Sequence, residues 1–334
     1  MLPEEISEAL DLPPFRGKQL FQWLQKKQVL TMEHMTDLPA AMRATHSPAV
    51  PVCALEMVKQ ELSEQSGAVK ALFSLADGEM IESVLLRHGA RATFCLSSQA
   101  GCPLGCAFCA TGMTGFRRNL SPAEIVEQAL RLHHAAALPP DTTPNIVYMG
   151  MGEPFCNYEA VIKSIHILMH PAGMHIGARK ITVSTVGDVP GILRFAEEPW
   201  QVRLSISLHA ATDTLRDQLT PLNKRYPLAA LHDALQTYQQ KRRRQITIEY
   251  TLLNEVNDAP ANAADLASYL RGLDAVVNLI PWNPAPELPF APPSARRVTA
   301  FAQALQAVGV KATVRKKRGG DINAACGQLR AANR

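Results

Sequence analysis

The sequence has 334 residues, 47% of them hydrophobic and 19% charged, the make-up of a globular protein with one large α/β domain and appendages, or with two domains. It holds no apolar run near the roughly 18–20 residues that span a bilayer. The acidic start Met1-Leu2-Pro3-Glu4-Glu5 also lacks an apolar centre, so no membrane anchor or secretory signal is expected and a cytoplasmic location is.

Residues 1–50 read as short helices, because Phe15, Leu20, Phe21, Trp23 and Leu24 recur at helical spacing with polar residues between them. The segment is too short for a core of its own and should dock on the rest, with Trp23 in the packing. Val69–Leu75 and Met80–Leu86 read as strands joined by Asp77-Gly78, a hairpin signal. Glu82, a charge inside the second strand, reads on residue type alone as pointing to solvent. A third strand, Ala92 to Ser97, leads into a cysteine loop. After that loop Ser121-Pro122-Ala123-Glu124 is a capping box that opens a helix. Strands are then expected at 145–150, 180–185, 202–208, 246–252, 275–280 and 311–315. Helices are expected near 157–169, 189–198, 227–241, 260–272 and 294–308. Such alternation implies a parallel sheet with helices outside, as an open or partial barrel. Pattern alone leaves a flat doubly wound sheet open. Residues 281–293, rich in proline, should form an irregular loop.

Seven cysteines stand at 53, 95, 102, 106, 109, 156 and 326, an odd count that argues against a disulfide framework and for metal or catalytic thiols. Three of them make the spacing Cys102-x3-Cys106-x2-Cys109 in a loop with two glycines and a proline. Three thiolates can hold three irons of a [4Fe-4S] cluster and leave the fourth iron open. Zinc competes, but a structural zinc site wants four ligands and no second hook lies nearby; three unrelated core thiols are the remaining reading. In parallel α/β folds chemistry collects at the C-terminal ends of strands. The cysteine loop, Gly150-Met151-Gly152-Glu153-Pro154, Ser184-Thr185, Ser207-Leu208-His209 and Asn283 all fall at such ends. The net charge of +4 permits an anionic partner without requiring one. Its basic runs, Lys241-Arg242-Arg243-Arg244 and Lys311 with Arg315–Arg318, read equally as solvated ends or as nucleic-acid contacts.

The cysteine triplet, with Phe108 before its last member, resembles the radical S-adenosylmethionine (SAM) superfamily. The strings Cys95-Leu96-Ser97-Ser98-Gln99-Ala100-Gly101-Cys102, Cys109-Ala110-Thr111-Gly112, Met149–Pro154, Ser207–Ala210 and Gly320–Leu329 are similar to the RlmN/Cfr family of RNA adenine methyltransferases, as is Phe15–Leu20. The resemblance runs along nearly the whole chain. It implies a partial (βα)6 radical SAM barrel over 92–316 and a small N-terminal helical accessory domain over 1–50. A linker and β-hairpin extension would cover 51–91, and a C-terminal segment, 317–334, would carry the methyl-carrier cysteine.

The resemblance also implies the parts. Cys102, Cys106 and Cys109 would ligate one [4Fe-4S] cluster per chain. Gly152, Glu153, Ser184, Ser207, Leu208, His209 and Asn283 would line the SAM site. Cys326 would carry the methyl, Cys95 would be its partner thiol, and Glu82 matches a glutamate proposed as proton acceptor. Two SAM would be used per turnover, one to methylate Cys326 and one to give a 5′-deoxyadenosyl radical. A Cys95–Cys326 disulfide would form and be reduced each cycle. The chemistry is consistent: an adenine C–H carbon is a poor nucleophile, whereas a thiolate is a good one.

Two positions depart from the family pattern: Phe155-Cys156 replaces a leucine often found after Gly-Glu-Pro, and Asn323 replaces an aspartate. Cys156 is expected as a packed core thiol without a role. Gly-Glu-Pro and Pro281-Trp282-Asn283-Pro284 look more like the RlmN side, which methylates adenine carbon 2 in 23S rRNA and, beside the anticodon, in tRNA. The Cfr side, which methylates carbon 8, is the alternative; a non-catalytic iron–sulfur or zinc RNA-binding protein is the alternative of another class. A monomer, with an electron donor such as a flavodoxin and no membrane partner, is implied.

Overall fold

The computed structural model describes all residues except 30, 47–53, 90, 137, 140–141, 286, 317 and 331–334. Cys53, Lys317 and the expected boundary at residues 50–51 therefore lie outside the described residues. Three helices come first: α1 (Pro3–Ala9), α2 (Pro14–Gln25) and α3 (Ala40–His46). The first two start on a proline, whose missing N–H costs nothing in a first turn. Leu20, Phe21 and Trp23 of α2 are buried. The Trp23 indole N–H donates to Asp37, and the Lys27 ammonium lies 3.4 Å from the ring centre, so this tryptophan packs as expected.

Strands β1 (Leu55–Leu62), β2 (Val69–Leu75), β3 (Met80–His88) and β4 (Arg91–Cys95) are antiparallel neighbours. Gly78 turns the β2–β3 hairpin at φ +83°. Strand β1 was not visible in the sequence because it is an edge: of its residues only Leu55 is buried, and Lys59, Gln60 and Glu61 break any apolar alternation. Glu82 does not point to solvent. Strand β3 is covered on both faces, so the Glu82 side chain is buried, and its carboxylate accepts from the Arg330 backbone N–H at 2.7 Å and pairs with Lys70 at 3.3 Å.

After β4 comes a two-stranded ribbon, β5 (Gln99–Gly101) with β6 (Phe116–Asn119), and the short helix α4 (Ala110–Met113) between its strands. The barrel then proceeds through α5 (Pro122–Ala135), β7 (Asn145–Tyr148), α6 (Tyr158–Met169), β8 (Ile181–Thr185), α7 (Val189–Phe195) and β9 (Arg203–Ser207). It continues through α8 (Asp213–Leu219), α9 (Leu228–Arg242), β10 (Ile246–Leu252), α10 (Pro260–Tyr269), β11 (Ala275–Pro281), α11 (Ala295–Ala307) and β12 (Ala312–Val314). The Ser121 capping box forms as read: the hydroxyl accepts from Glu124 N–H at 3.2 Å, and the Glu124 carboxylate accepts from Ser121 N–H at 2.8 Å.

The ten-stranded sheet runs β1-β2-β3-β4-β7-β8-β9-β10-β11-β12, parallel from β4 onward. The order never reverses. Right-handed crossovers in one direction put every helix on one face, so the other face must be buried by curling, which gives six βα units of a partial barrel rather than a doubly wound sheet. Residues after β12 lie along the open side. Gly319 N–H donates to Ser66 Oγ at 3.0 Å, and Ser63 Oγ donates to Asp321 at 2.8 Å, both at the turn between β1 and β2. Further on, Ala110 N–H donates to the Gly327 carbonyl at 2.8 Å, and Thr111 Oγ1 donates to the Leu329 carbonyl at 2.6 Å. Among the described residues no helix is long and apolar enough to cross a membrane.

Candidate active site

The cysteine loop is closed at its neck by the β5–β6 ribbon. Gly101 stands opposite Phe116, and Cys102 N–H donates to the Gly115 carbonyl at 3.1 Å. Gly101 has φ +73°, and a Cβ there would lie 1.8 Å from the Gly115 oxygen, so only glycine closes this neck. Inside the loop, Phe108 meets the His209 ring edge-on at 4.5 Å between centres, and the Phe108 carbonyl accepts from the Trp282 indole N–H at 3.0 Å. The loop is thus tied to the ends of β9 and β11.

A cavity of about 150 Å3 lies under the loop. Cys102, Cys106 and Cys109 line it together with Gly152, Glu153, Ser184, Ser207 and His209. Burial pushes the Cys102 thiol up to about 12 and Cys106 well above the ordinary thiol range, and the neighbouring thiols raise both further. Three thiols gathered on one cavity wall suit a metal centre, which deprotonates its ligands on binding. Among the described residues they are not grouped as for a single metal ion. The donor set fits a cluster of several irons held by thiolates.

The cavity's other wall is built from strand ends. The Glu153 carboxylate accepts from Val186 N–H at 2.9 Å and from Phe155 N–H at 3.1 Å, and its own N–H donates to Gln99 at 2.9 Å. Burial pushes its carboxyl up to about 7. Gly152, at φ +101°, lies so close to Gln99 that a Cβ would come within 2.6 Å. The Ser184 and Ser207 hydroxyls are 3.3 Å apart. His209 has φ +61°, a strained value for histidine, and Asn257 holds its carbonyl at 2.8 Å. Its Nδ1 accepts from Thr251 N–H at 3.0 Å. Burial lowers its pKa to about 3, so the ring is neutral with its proton on Nε2.

A second cavity, of about 390 Å3, adjoins the first. Cys95, at the end of β4, and Cys326 both line it; Cys326, Cys109 and Arg315 line both cavities. Burial pushes the Cys95 thiol up to about 12; Cys326 raises it further and Arg315 counters. Asn283 lines this second cavity and its amide donates to the Cys326 carbonyl at 3.5 Å. Leu208 lines neither: its side chain is fully buried, and it serves through its backbone, with its carbonyl accepting from Arg216 at 3.1 Å. Glu82 faces a separate groove, on the other side of residues 323–330 from Cys95 and Cys326. Cys156 is exposed rather than packed, because the tight turn Pro154–Asn157 gives the buried place to Phe155.

Three residues that sequence reasoning missed hold the site together. Arg216, buried, donates to the carbonyls of Val186 and Leu208 and, at 2.8 Å, to Asn223. Glu249, buried inside β10, accepts from Ser205 at 3.0 Å and from Asn278 at 2.7 Å. A carboxylate in a strand of an all-parallel run was a usable signal, since such strands are covered on both faces. Arg315 was read only as one member of a basic run.

Against known proteins, the family description "Radical SAM superfamily" matches residues 96–267. A probable dual-specificity RNA methyltransferase RlmN of Heliobacterium modesticaldum is 46% identical over 99% of this chain and 89% of its own. The relative of the same name in Thermotoga neapolitana is 44% identical over 98% of this chain and 95% of its own. Among solved structures, a radical SAM methyltransferase from Sphaerobacter thermophilus is similar at a TM-score of 0.94 and 47% identity, covering 98% of this chain and 96% of that one.

Proposed function

The chain belongs to the RlmN methyltransferases of the radical SAM superfamily, and from that premise we propose that it methylates carbon 2 of a specific adenine in 23S rRNA and of the adenine beside the anticodon in tRNAs. It is an RNA methyltransferase that uses an iron–sulfur cluster and SAM. We assign the cluster, one per chain, to Cys102, Cys106 and Cys109. The SAM site we assign to Gly152, Glu153, Ser184, Ser207 and His209, with Leu208 contributing backbone and Asn283 its amide. When bound, the cluster and SAM supply one electron and, from it, a 5′-deoxyadenosyl radical able to take hydrogen from a methyl group.

The chain's own residues do the rest. The Cys326 thiolate would attack the methyl carbon of one SAM, expelling S-adenosylhomocysteine and becoming a methyl thioether; with the second SAM that gives the radical, two SAM are used per turnover. His209, fixed as a neutral Nε2–H donor, orients what enters the first cavity. Cys326, on the boundary of the two cavities, presents its methyl carbon to both. Once that carbon has joined the adenine ring, and the ring has given up its proton and the one electron that the cluster would take back, the Cys95 thiolate attacks the Cys326 sulfur. The sulfur–carbon bond breaks, the freed carbon takes a proton to become the methyl group of the released base, and a Cys95–Cys326 disulfide is left for reduction, a step suited to the cytoplasm. Glu82 serves as the proton acceptor only if residues 323–330 shift, since they stand between it and the thiols. We take the enzyme to be a monomer served by an electron donor such as a flavodoxin.

The observation that carries this reading is the shared cavity of Cys95 and Cys326, thiols far apart in the sequence, next to the triplet. Mass spectrometry of nucleosides from rRNA and tRNA after reaction tests it. The expected product is 2-methyladenosine in both. 8-Methyladenosine would move the chain to the Cfr side, and neither product from a loaded enzyme would refute the activity.

A further inference from the structure

The larger cavity has an uneven charge that the chemistry at its thiols does not use. Among the described residues no Asp or Glu lines it, whereas Arg87, Arg315, Lys316 and Arg318 do. Arg87 donates to the Ala136 carbonyl, and Arg318 donates to the Arg87 carbonyl at 2.5 Å and meets the His88 ring at 2.6 Å. None of these anchors is a carboxylate. The mouth residues Arg87, Lys316 and Arg318 pair with no carboxylate among the described residues, unlike Arg118, Arg131, Lys241 and Arg297, which do. Arg315, deeper in, has Glu249 as its acidic neighbour, but that carboxylate is already bonded to Ser205 and Asn278. Like charges gathered without a counter-charge repel one another; the arrangement suits a polyanion that comes and goes.

We propose that Arg87, Lys316 and Arg318 bind the RNA phosphates on either side of the target nucleotide, so that its base reaches Cys95 and Cys326 through this mouth. The inference rests on the RNA methyltransferase reading and adds where the backbone is gripped. It also separates the two basic runs. In the other run Lys241 pairs with Glu197 and Arg244 donates to Gln201, and none of its residues lines either cavity; that run is a solvated helix end.

The test is the salt dependence of binding of a short RNA hairpin, with an unpaired adenosine in its loop, to the full chain with its cluster reconstituted. Each phosphate contact to single-stranded RNA contributes roughly 0.7 to the slope of log K against log salt. Lys316→Gln should lower the slope by about 0.7, and Lys316→Gln with Arg318→Gln by about 1.4, with affinity down roughly tenfold at 0.1 M salt. Lys316 is exposed and has no side-chain partner among the described residues, so its single variant keeps the test sound if Arg318→Gln loosens the segment. Arg242→Gln with Arg243→Gln should leave the slope unchanged. An unchanged slope in the Lys316 and Arg318 variants overturns the proposal. So does an equal drop in the control, or a loss confined to SAM affinity. Failure of the activity reading would show separately, as absence of methylation by the unaltered enzyme, and the salt slope decides the phosphate site in either case.

Discussion

Cys102, Cys106 and Cys109 are brought together by one short loop, while Cys95 and Cys326 are brought together by the whole barrel. The triplet needs only its own neck: the β5–β6 ribbon and Gly101 shape the loop locally. The pair needs β4 to end at Cys95, β12 to close the run of strands, and the chain beyond it to return along the open side. The two sets of thiols therefore fail in different ways. Damage to the loop should remove the cluster and all that depends on it. Damage to the returning segment should spare the cluster and cost only transfer.

Cys106→Ala is the harshest test of that division. It takes one of three thiolates, so iron retained after anaerobic reconstitution should fall to background and methylation should vanish. Full iron content in this variant would break the assignment of the triplet. Cys326→Ala should do the reverse, with iron content and visible absorbance unchanged and RNA methylation abolished. Residual methylation there would erase the distinction between the two sets.

Glu153 sharpens the contrast through pH. Its carboxyl is raised by burial to about 7, so it is neutral below that value and charged above it. SAM carries a fixed sulfonium charge and should prefer the carboxylate. Calorimetric SAM affinity should thus rise roughly tenfold from pH 6 to pH 8, and Glu153→Gln should flatten the profile. The stability linkage has the opposite sign. A carboxyl whose pKa is raised on folding contributes stability below its ordinary 4.5 and loses it as pH climbs through about 7.

Thr111→Val probes the seam between the sets. It removes the 2.6 Å bond to the Leu329 carbonyl, a loss of about 1 kcal/mol. Steady-state methylation should fall about fivefold with iron content intact; a drop in iron would mean that the seam supports the loop instead. Ser121→Ala is the smallest change, about 1 kcal/mol of stability through the lost cap. It should lower the melting temperature without altering iron content or methylation, because the capping box touches neither set of thiols.

The triplet could be read in the sequence because its geometry is local: spacing, glycines and a proline within one loop. The barrel strands and most of its helices were legible for the same kind of reason, since period and caps are local signals. Strand β1 was not, because an edge strand buries almost nothing. Helix α8 was missed too; it is short, and Asp213 and Asp217 face Asn223 rather than an apolar core. Glu82 and Cys156 were misread in opposite directions, one by its charge and the other by its apolar character, because burial at a given position is decided by what packs over it. The resemblance named Cys95 and Cys326 together, but only the fold places both on one cavity. Nothing in the residues themselves says that Glu82 lies beyond the segment that carries Cys326.

The central claim is that Cys326 carries the methyl group. Peptide mass spectrometry of the reconstituted enzyme, after incubation with SAM and before any RNA is added, tests it most directly. The account predicts a single methyl group on the peptide containing Cys326 and none on the peptide containing Cys95. A methyl group on any other residue, or on none while the same preparation methylates RNA, would contradict it.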